Sequence, residues 1–131
     1  MVIDTSALLA LLANEPEAES FRVALEADPV RLLSAASLVE ASAVVEARYG
    51  EAGGRELDLL VFKAGIEVVA VDREQAEVAR EALRRFGRGR HPAGLNYGDA
   101  FAYALAVVSG QALLFKGDDF RRTDVEPVAG T

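Results

Sequence analysis

The 131-residue sequence contains no cysteine and only one histidine, which limits the chemistry that it can perform. Without cysteine, disulfides are impossible, and zinc or iron–sulfur sites built on thiolates are excluded. His91, the single histidine, precedes Pro92 in a stretch rich in glycine and arginine. A metal site made of several histidines is therefore excluded, and a serine–histidine hydrolase would have one poorly placed base.

Long apolar runs are also missing. No apolar stretch approaches the ~20 residues that a membrane-spanning helix needs. The chain opens with Val2, Ile3 and Asp4, without the basic and apolar segments of a signal peptide, so we expect a cytoplasmic protein. Because 51% of the residues are hydrophobic, a folded core is favoured over disorder. The length predicts one domain over residues 1–131.

Positive charge is scarce: 14 lysines and arginines stand against 21 acidic residues, for a formal net charge of -7. This balance disfavours loose, non-specific binding of nucleic acid. Any interpretation that involves nucleic acid must therefore explain the acidity. A site made of carboxylates that a metal ion neutralises would do so.

Short β-branched runs alternate with longer helical stretches, and this order predicts a parallel sheet covered by helices on both faces. Residues 87–94 form the one long irregular stretch, and a short helix is expected near Asp118. Ligands of such folds bind beyond the carboxyl ends of the strands. Strands are predicted over 1–3, 30–34, 67–71, 112–115 and 125–128, and helices over 6–12, 17–27, 37–49, 55–64, 73–86 and 97–109.

Acidic residues follow two of the predicted strands. Asp4 comes directly after the first strand, where it either caps the next helix or belongs to a site. Asp118 and Asp119 follow the strand over 112–115. One of these two aspartates is expected to cap the short helix, which leaves the other free.

Two further acids lie on helix stripes that are otherwise small or apolar. Glu40 is one, and an unpaired charge that faces the sheet there would cost several kcal/mol unless a partner compensates it. Asp99 is the other, although its spacing from Asn96 also fits a capping box. The neighbours of Glu40 at helical spacing are Ala36, Ser37, Ala43, Val44 and Ala47, and those of Asp99 are Ala102, Tyr103 and Ala106.

These acids are predicted to converge at one end of one sheet. Clustered carboxylates repel one another and take up protons unless a cation is present. Oxygen ligands without histidine or cysteine suit a hard cation such as Mg²⁺ or Mn²⁺. The pattern therefore predicts metal-dependent phosphoryl-group chemistry.

Four segments, spread over the whole chain, resemble PIN domains of the VapC toxin family. The resemblance implies a Rossmann-like three-layer α/β/α sandwich with a short central parallel sheet. It also implies an endoribonuclease that needs Mg²⁺ or Mn²⁺, acts on tRNA or ribosomal RNA, forms a homodimer and is neutralised by a small VapB antitoxin. The segments are Val2-Ile3-Asp4-Thr5-Ser6-Ala7, Ser37-Leu38-Val39-Glu40, Leu95-Asn96-Tyr97-Gly98-Asp99-Ala100 and Leu114-Phe115-Lys116-Gly117-Asp118-Asp119-Phe120.

By this resemblance, Asp4 and Asp99 are the direct metal ligands, and Glu40 is an acid that helps to bind metal or orients the attacking water. The fourth acid departs from the family pattern, because many relatives have Thr-Arg-Asp or Thr-Arg-Asn where this chain has Phe-Lys-Gly-Asp-Asp-Phe. We favour Asp118, since Asp119 next to a phenylalanine resembles a helix-start residue. Thr5 or Ser6 could also hydrogen-bond a metal ligand or a phosphate.

A basic run near the end of the helix over 73–86 offers a phosphate clamp for RNA. It equally fits a solvated helix end, because arginines there complement the helix dipole. Lys116, beside the acids, is a further candidate or simply an exposed loop lysine. The run consists of Arg84, Arg85, Arg88, Arg90 and His91.

Other α/β families fail on named residues. A haloacid-dehalogenase-like phosphatase needs a second aspartate where Ser6 stands, and a receiver domain needs an acidic neighbour beside Asp4. No Gly-x-Gly-x-x-Gly follows the first strand, which disfavours dinucleotide binding. A non-catalytic PIN-like scaffold that only binds partners stays open. The apolar helical segments 18–25 and 57–64 either form an antitoxin groove or belong to the core.

Overall fold

The computed structural model describes residues 1–131, which form four strands, six α-helices and one 3-10 turn. Strands and helices alternate, as the sequence predicts. The strands are β1 (Val2–Ile3), β2 (Leu32–Ser34), β3 (Glu67–Val69) and β4 (Leu113–Leu114). The helices are α1 (Thr5–Leu12), α2 (Ala18–Ala27), α3 (Ala35–Tyr49), α4 (Glu51–Lys63), α5 (Arg73–Phe86) and α6 (Tyr97–Ser109), and the 3-10 turn covers Phe120–Arg122.

The strands form one parallel sheet in the order β3-β2-β1-β4. In the central strand β1, Val2 and Ile3 point to opposite faces of the sheet, and both are fully buried. Ile3 belongs to the core cluster that holds residues of α1 to α4. Val2 belongs to a second cluster with residues of α5 and α6. Helices therefore cover both faces, and the predicted three-layer α/β/α sandwich is confirmed.

The start of α4 differs from the prediction, because the helix already begins at Glu51 and includes Gly53 and Gly54. Consecutive glycines usually interrupt a helix. Here a Cβ on Gly53 would lie 2.6 Å from the carbonyl oxygen of Val45 and 3.1 Å from Cβ of Tyr49. The absence of a side chain therefore lets α4 approach α3 closely.

The expected strand over 125–128 is wrong. This segment contributes one parallel bridge, between Pro127 and Leu113, because proline has no N–H to continue a ladder. The short helix expected near Asp118 is the 3-10 turn. None of the helices has the length and apolar character needed to cross a membrane.

The two segments considered for an antitoxin groove contribute mainly to the core. Ala18, Phe21 and Leu25 of α2 and Leu57 of α4 are buried in the same core cluster as Ile3. Three apolar side chains of these segments are nevertheless exposed, namely Val23 of α2 and Leu59 and Phe62 of α4, and Phe62 is 83% exposed.

Candidate active site

Asp4 is the first residue after β1, so its carboxylate stands at the carboxyl edge of the sheet. The side chain is only 3% exposed. Its Oδ2 accepts hydrogen bonds from Ser6 N at 2.9 Å and from Ser6 Oγ at 2.6 Å, which makes Asp4 the N-cap of α1. Asp4 therefore both caps a helix and places a buried carboxylate at the sheet edge.

The pKa of Asp4 is raised from 3.8 to about 6. Burial is the main cause, and the hydrogen bonds from Ser6 oppose it. The negative charges of Asp99 and Glu40 raise this pKa further, so the three acids act on one another electrostatically. The structure thus brings together acids from three distant segments of the chain.

Asp99 lies in the first turn of α6 and forms the predicted capping box with Asn96. Its Oδ2 accepts a hydrogen bond from Asn96 N at 2.9 Å, and Asn96 Oδ1 accepts one from Asp99 N at the same distance. Partial burial raises the pKa of Asp99, and the charges of Glu40 and Asp119 add to the rise. The hydrogen bond from the Asn96 backbone N–H and the positive charge of Arg88 lower the pKa of Asp99.

Glu40 lies near Asp4 and Asp99, but it does not lie on the buried, sheet-facing stripe of α3 where the sequence predicts it. The buried stripe of α3 is Ser37, Ala41 and Val45, whereas Ala43 and Ala47 are exposed. Glu40 lies beside that stripe and is partly buried. The prediction that Glu40 lies on the sheet-facing stripe of α3 was wrong, because it treated the exposed residues Ala43 and Ala47 as core residues.

The carboxylate of Glu40 is in contact with the start of α6. A Cβ on Gly98 would lie 2.6 Å from Cδ and 2.9 Å from Oε1 of Glu40. Sequence reasoning did not single out Gly98. The available signal was a helix-disfavouring glycine in the first turn, immediately before Asp99.

The two loop aspartates differ in their relation to this cluster, although both are exposed. The charge of Asp119 raises the pKa of Asp99. Asp119 makes no side-chain capping hydrogen bond to the 3-10 turn that follows it. Asp119 thus occupies the start of the 3-10 turn, as expected, but its carboxylate is not used as a cap, and the choice between Asp118 and Asp119 stays a prediction.

Thr5 and Ser6, next to Asp4, connect the start of α1 by hydrogen bonds to α3 and to the segment after β4. Ser6 Oγ accepts a hydrogen bond from Lys116 N at 3.0 Å, so Ser6 connects Asp4 to the segment after β4. Thr5 Oγ1 donates to the carbonyl of Ser37 at 3.3 Å and thereby joins α1 to α3. The ammonium group of Lys116 pairs with Glu15 and Glu17 instead of the cluster acids.

Asp4, Glu40 and Asp99 take no part in any ion pair of the structure. As they stand, no three acidic or imidazole side chains lie close enough to hold one metal ion. Two carboxylates are held by hydrogen bonds within their own helix starts, and mutual repulsion separates like charges. The all-oxygen donor set and the uncompensated buried charge nevertheless fit a hard divalent cation.

The predicted basic run separates into two groups. Arg85 pairs with Asp124 at 3.3 Å and stacks over the Phe86 ring, and the His91 ring packs edge-on against Phe86. Arg84, Arg88 and Arg90 instead line an open cleft that ends at Asn96 and Tyr97, the residues at the start of α6.

A family model described as PIN domain matches residues 1–126. Ribonuclease VapC30 of Mycobacterium tuberculosis is 60% identical over 129 residues, which cover 98% of each chain. Ribonuclease VapC of Mycolicibacterium smegmatis is 61% identical over 128 residues, which cover 98% of this chain and 99% of the relative.

Solved structures agree with the fold. The crystal structure of Mycobacterium tuberculosis VapC20, a sarcin–ricin loop cleaving toxin, superposes with a TM-score of 0.76 at 20% identity over 95% of both chains. VapBC2 from Rickettsia felis bound to a promoter DNA fragment gives a TM-score of 0.72 at 15% identity, covering 96% of this chain and 94% of that one. Since the family model and the curated relatives span nearly the entire length, the chain belongs to the PIN-domain family as a VapC-type ribonuclease.

Proposed function

We propose that the chain is the toxin of a type II toxin–antitoxin pair and hydrolyses RNA phosphodiester bonds as an Mg²⁺- or Mn²⁺-dependent endoribonuclease. One observation carries the proposal. Buried or partly buried carboxylates from three distant segments, Asp4, Glu40 and Asp99, influence one another at the carboxyl edge of the sheet without a cationic partner. Such a cluster lowers the stability of the metal-free fold, and a bound divalent ion would compensate the negative charges.

In this proposal Asp4 and Asp99 hold the metal. A bound divalent ion would activate water and stabilise negative charge on the phosphodiester oxygens. Ser6 orients the carboxylate of Asp4, and Asn96 orients that of Asp99. Glu40 accepts a hydrogen bond from the attacking water and so directs it towards phosphorus. Asp119, in place of Asp118, is the fourth acid, because its charge acts on Asp99.

The test combines metal binding with cleavage. We expect Mg²⁺ or Mn²⁺ to raise the melting temperature and to permit cleavage of RNA, and we expect Asp99→Asn to abolish both effects. Asn can still accept the hydrogen bond from Asn96 N, so the capping box is retained in this variant. A protein that binds its antitoxin but neither metal nor RNA would instead be the non-catalytic scaffold.

We further propose tRNA or ribosomal RNA as the target, which places the activity in the cytoplasm. Support comes from VapC20, whose description names the sarcin–ricin loop. Sequencing the 5′ ends of cellular RNA after induction identifies the cleavage site. New ends should appear with the wild type and not with Asp99→Ala.

The proposed partner is a small VapB-type antitoxin, and the toxin is proposed to be a homodimer that forms a heterotetramer or a larger complex with it. Solved relatives include the VapBC2 complex and a toxin–antitoxin complex from Klebsiella pneumoniae. Co-expression with the product of the adjacent upstream gene should relieve growth arrest and yield a co-purifying complex. Light scattering of the toxin alone and in the complex measures the stoichiometry. An upstream product that neither binds nor relieves arrest contradicts the toxin–antitoxin assignment.

A further inference from the structure

An open cleft of about 430 Å³ lies beside the start of α6, between this helix and the end of α5. Three arginines line it, Arg84, Arg88 and Arg90, together with the polar side chain of Asn96 and the ring of Tyr97. In a protein with a formal net charge of -7, this concentration of positive charge is local and unusual. Arg84 lies in the last turn of α5, where it complements the helix dipole, but Arg88 and Arg90 lie beyond the end of the helix, so the dipole does not account for them.

The two arginines of the loop over residues 87–94 are free to bind a ligand. The side chains of Arg88 and Arg90 are exposed and form neither an ion pair nor a hydrogen bond within the protein. Arg84 pairs with Glu81 at 2.8 Å, but this contact is exposed and weak enough to be exchanged for a ligand. Arg85 is engaged with Asp124 and lies outside the cleft.

The loop itself is well anchored. Its two ends are joined by backbone hydrogen bonds from Arg88 N to the Leu95 carbonyl, at 3.1 Å, and from Leu95 N to the Phe86 carbonyl, at 2.9 Å. Arg122 donates to the carbonyl of Pro92 at its tip. Because the backbone is fixed, binding through Arg88 and Arg90 costs mainly side-chain entropy.

The cleft borders the acidic cluster directly. Asn96 lines the cleft and holds the carboxylate of Asp99 through its backbone N–H. The charge of Arg88 also lowers the pKa of Asp99. A strand lying in the cleft would therefore pass from the arginines to the acids.

Tyr97 adds a stacking surface at this junction. Tyr97 is 74% exposed. Phe101, one turn later, supports it in an edge-to-face arrangement with ring centroids 5.0 Å apart. Exposed aromatic rings beside cationic grooves are a common platform for unpaired bases.

We propose that this cleft binds the single-stranded RNA segment adjoining the scissile bond, with Arg88 and Arg90 on its phosphates and Tyr97 stacked on a base. The inference rests on the proposed endoribonuclease function and adds the substrate-binding path. Guanidinium groups match phosphate oxygens in geometry and charge, and the ring selects a nucleotide that is not paired. The cleft thus favours a loop or an unpaired end over a continuous duplex.

The test measures binding of a fluorescein-labelled, mixed-sequence single-stranded RNA by anisotropy in EDTA, so that no cleavage occurs. We expect the double variant R88Q/R90Q to bind at least tenfold more weakly than the wild type. The salt dependence, log K against log[salt], should lose about 0.7 in slope for each phosphate contact removed. Arg80→Gln is the control for loss of an arginine outside the cleft, because Arg80 lies on α5, before the loop, and pairs with Glu77.

Tyr97→Leu provides an independent arm. It should weaken binding several-fold without changing the salt slope, since a stacking contact releases no counterions. In cleavage assays at saturating metal, R88Q/R90Q should raise KM by a larger factor than it lowers kcat, because Arg88 also acts on Asp99.

The outcomes separate the two proposals. If the wild type cleaves RNA and R88Q/R90Q has the same RNA affinity and KM as the wild type, the cleft is not the RNA-binding site. The proposed ribonuclease function would still stand. Loss of antitoxin binding in this variant with unchanged RNA binding would assign the cleft to the antitoxin and likewise overturn the inference. A wild type that neither binds nor cleaves RNA removes the proposed function and the inference together.

Discussion

The carboxylate of Glu40 packs against Gly98 with no space for a side chain between them. Glu40 belongs to α3, on one face of the sheet, and Gly98 to α6, on the other face. The two helix layers therefore meet at the carboxyl edge of the sheet, and the acidic cluster is built at this meeting point. A glycine in α6 is what allows the glutamate of α3 to reach Asp99.

Gly98→Ala should lower RNA cleavage at least tenfold while leaving the fold intact. The new Cβ displaces the flexible end of Glu40, whereas alanine favours the helix over glycine by ~1 kcal/mol. Cleavage rates and melting temperatures measure the two effects. Gly54→Ala is the matched control, because its Cβ would meet the side chain of Glu46, outside the site, at 3.1 Å.

The effect of Gly98→Ala should depend on Glu40. In a background of Glu40→Gln, the glycine substitution is expected to cost less activity than in the wild type, since the displaced group is already impaired. Fully additive losses in the double variant would show that Gly98 acts through some other contact.

Asp4→Asn should abolish cleavage and stabilise the metal-free protein at neutral pH. The folded-state pKa of Asp4, about 6, lies above its ordinary value of 3.8, so the folded state binds this proton more tightly than the unfolded state. Metal-free stability is therefore expected to fall as the pH rises from about 4 to about 6. The asparagine variant should lack this decline and gain about 1–3 kcal/mol at pH 7.

Denaturant unfolding in EDTA across this pH range measures the difference. Asn preserves an acceptor for Ser6 N, so the helix cap is retained, whereas Asp4→Ala removes the cap as well. A large loss of stability in the Asn variant would show that Asp4 serves the fold mainly as a cap.

Asp119→Asn should weaken metal binding about tenfold, and Asp118→Asn should leave it near the wild-type value. The reason is that the charge of Asp119 acts on Asp99. Calorimetric titration with Mn²⁺ compares the pair, which are adjacent, exposed and identical in type. The reverse order of affinities would return the role to Asp118.

Mg²⁺ or Mn²⁺ should raise the melting temperature more at pH 7.5 than at pH 5.5. At the lower pH, protons compete with the metal for Asp4 and Asp99, whose pKa values are raised. Differential scanning fluorimetry with and without EDTA measures the shift. An equal shift at both pH values would place the metal away from these two acids.

The architecture and the family could be predicted from the sequence. The alternation of strand-like and helical stretches predicted a sheet covered on both faces, the four family-like segments predicted the PIN domain, and both predictions are confirmed. The segments that carry Asp4, Glu40 and Asp99 were also recognisable, because each acid interrupts an apolar or small pattern or ends a strand.

How these residues meet could not be predicted without the packing of the helices across the sheet. Glu40 reaches the cluster from beside the buried stripe of α3, Gly98 provides the space for it, and Asp119 is the loop acid that influences Asp99. Likewise, the basic residues are close together in sequence, yet Arg85 pairs with Asp124 while Arg88 and Arg90 line the cleft. Periodicity reports the face of a single element, whereas these contacts depend on the distance and angle between two elements, which packing across the sheet sets.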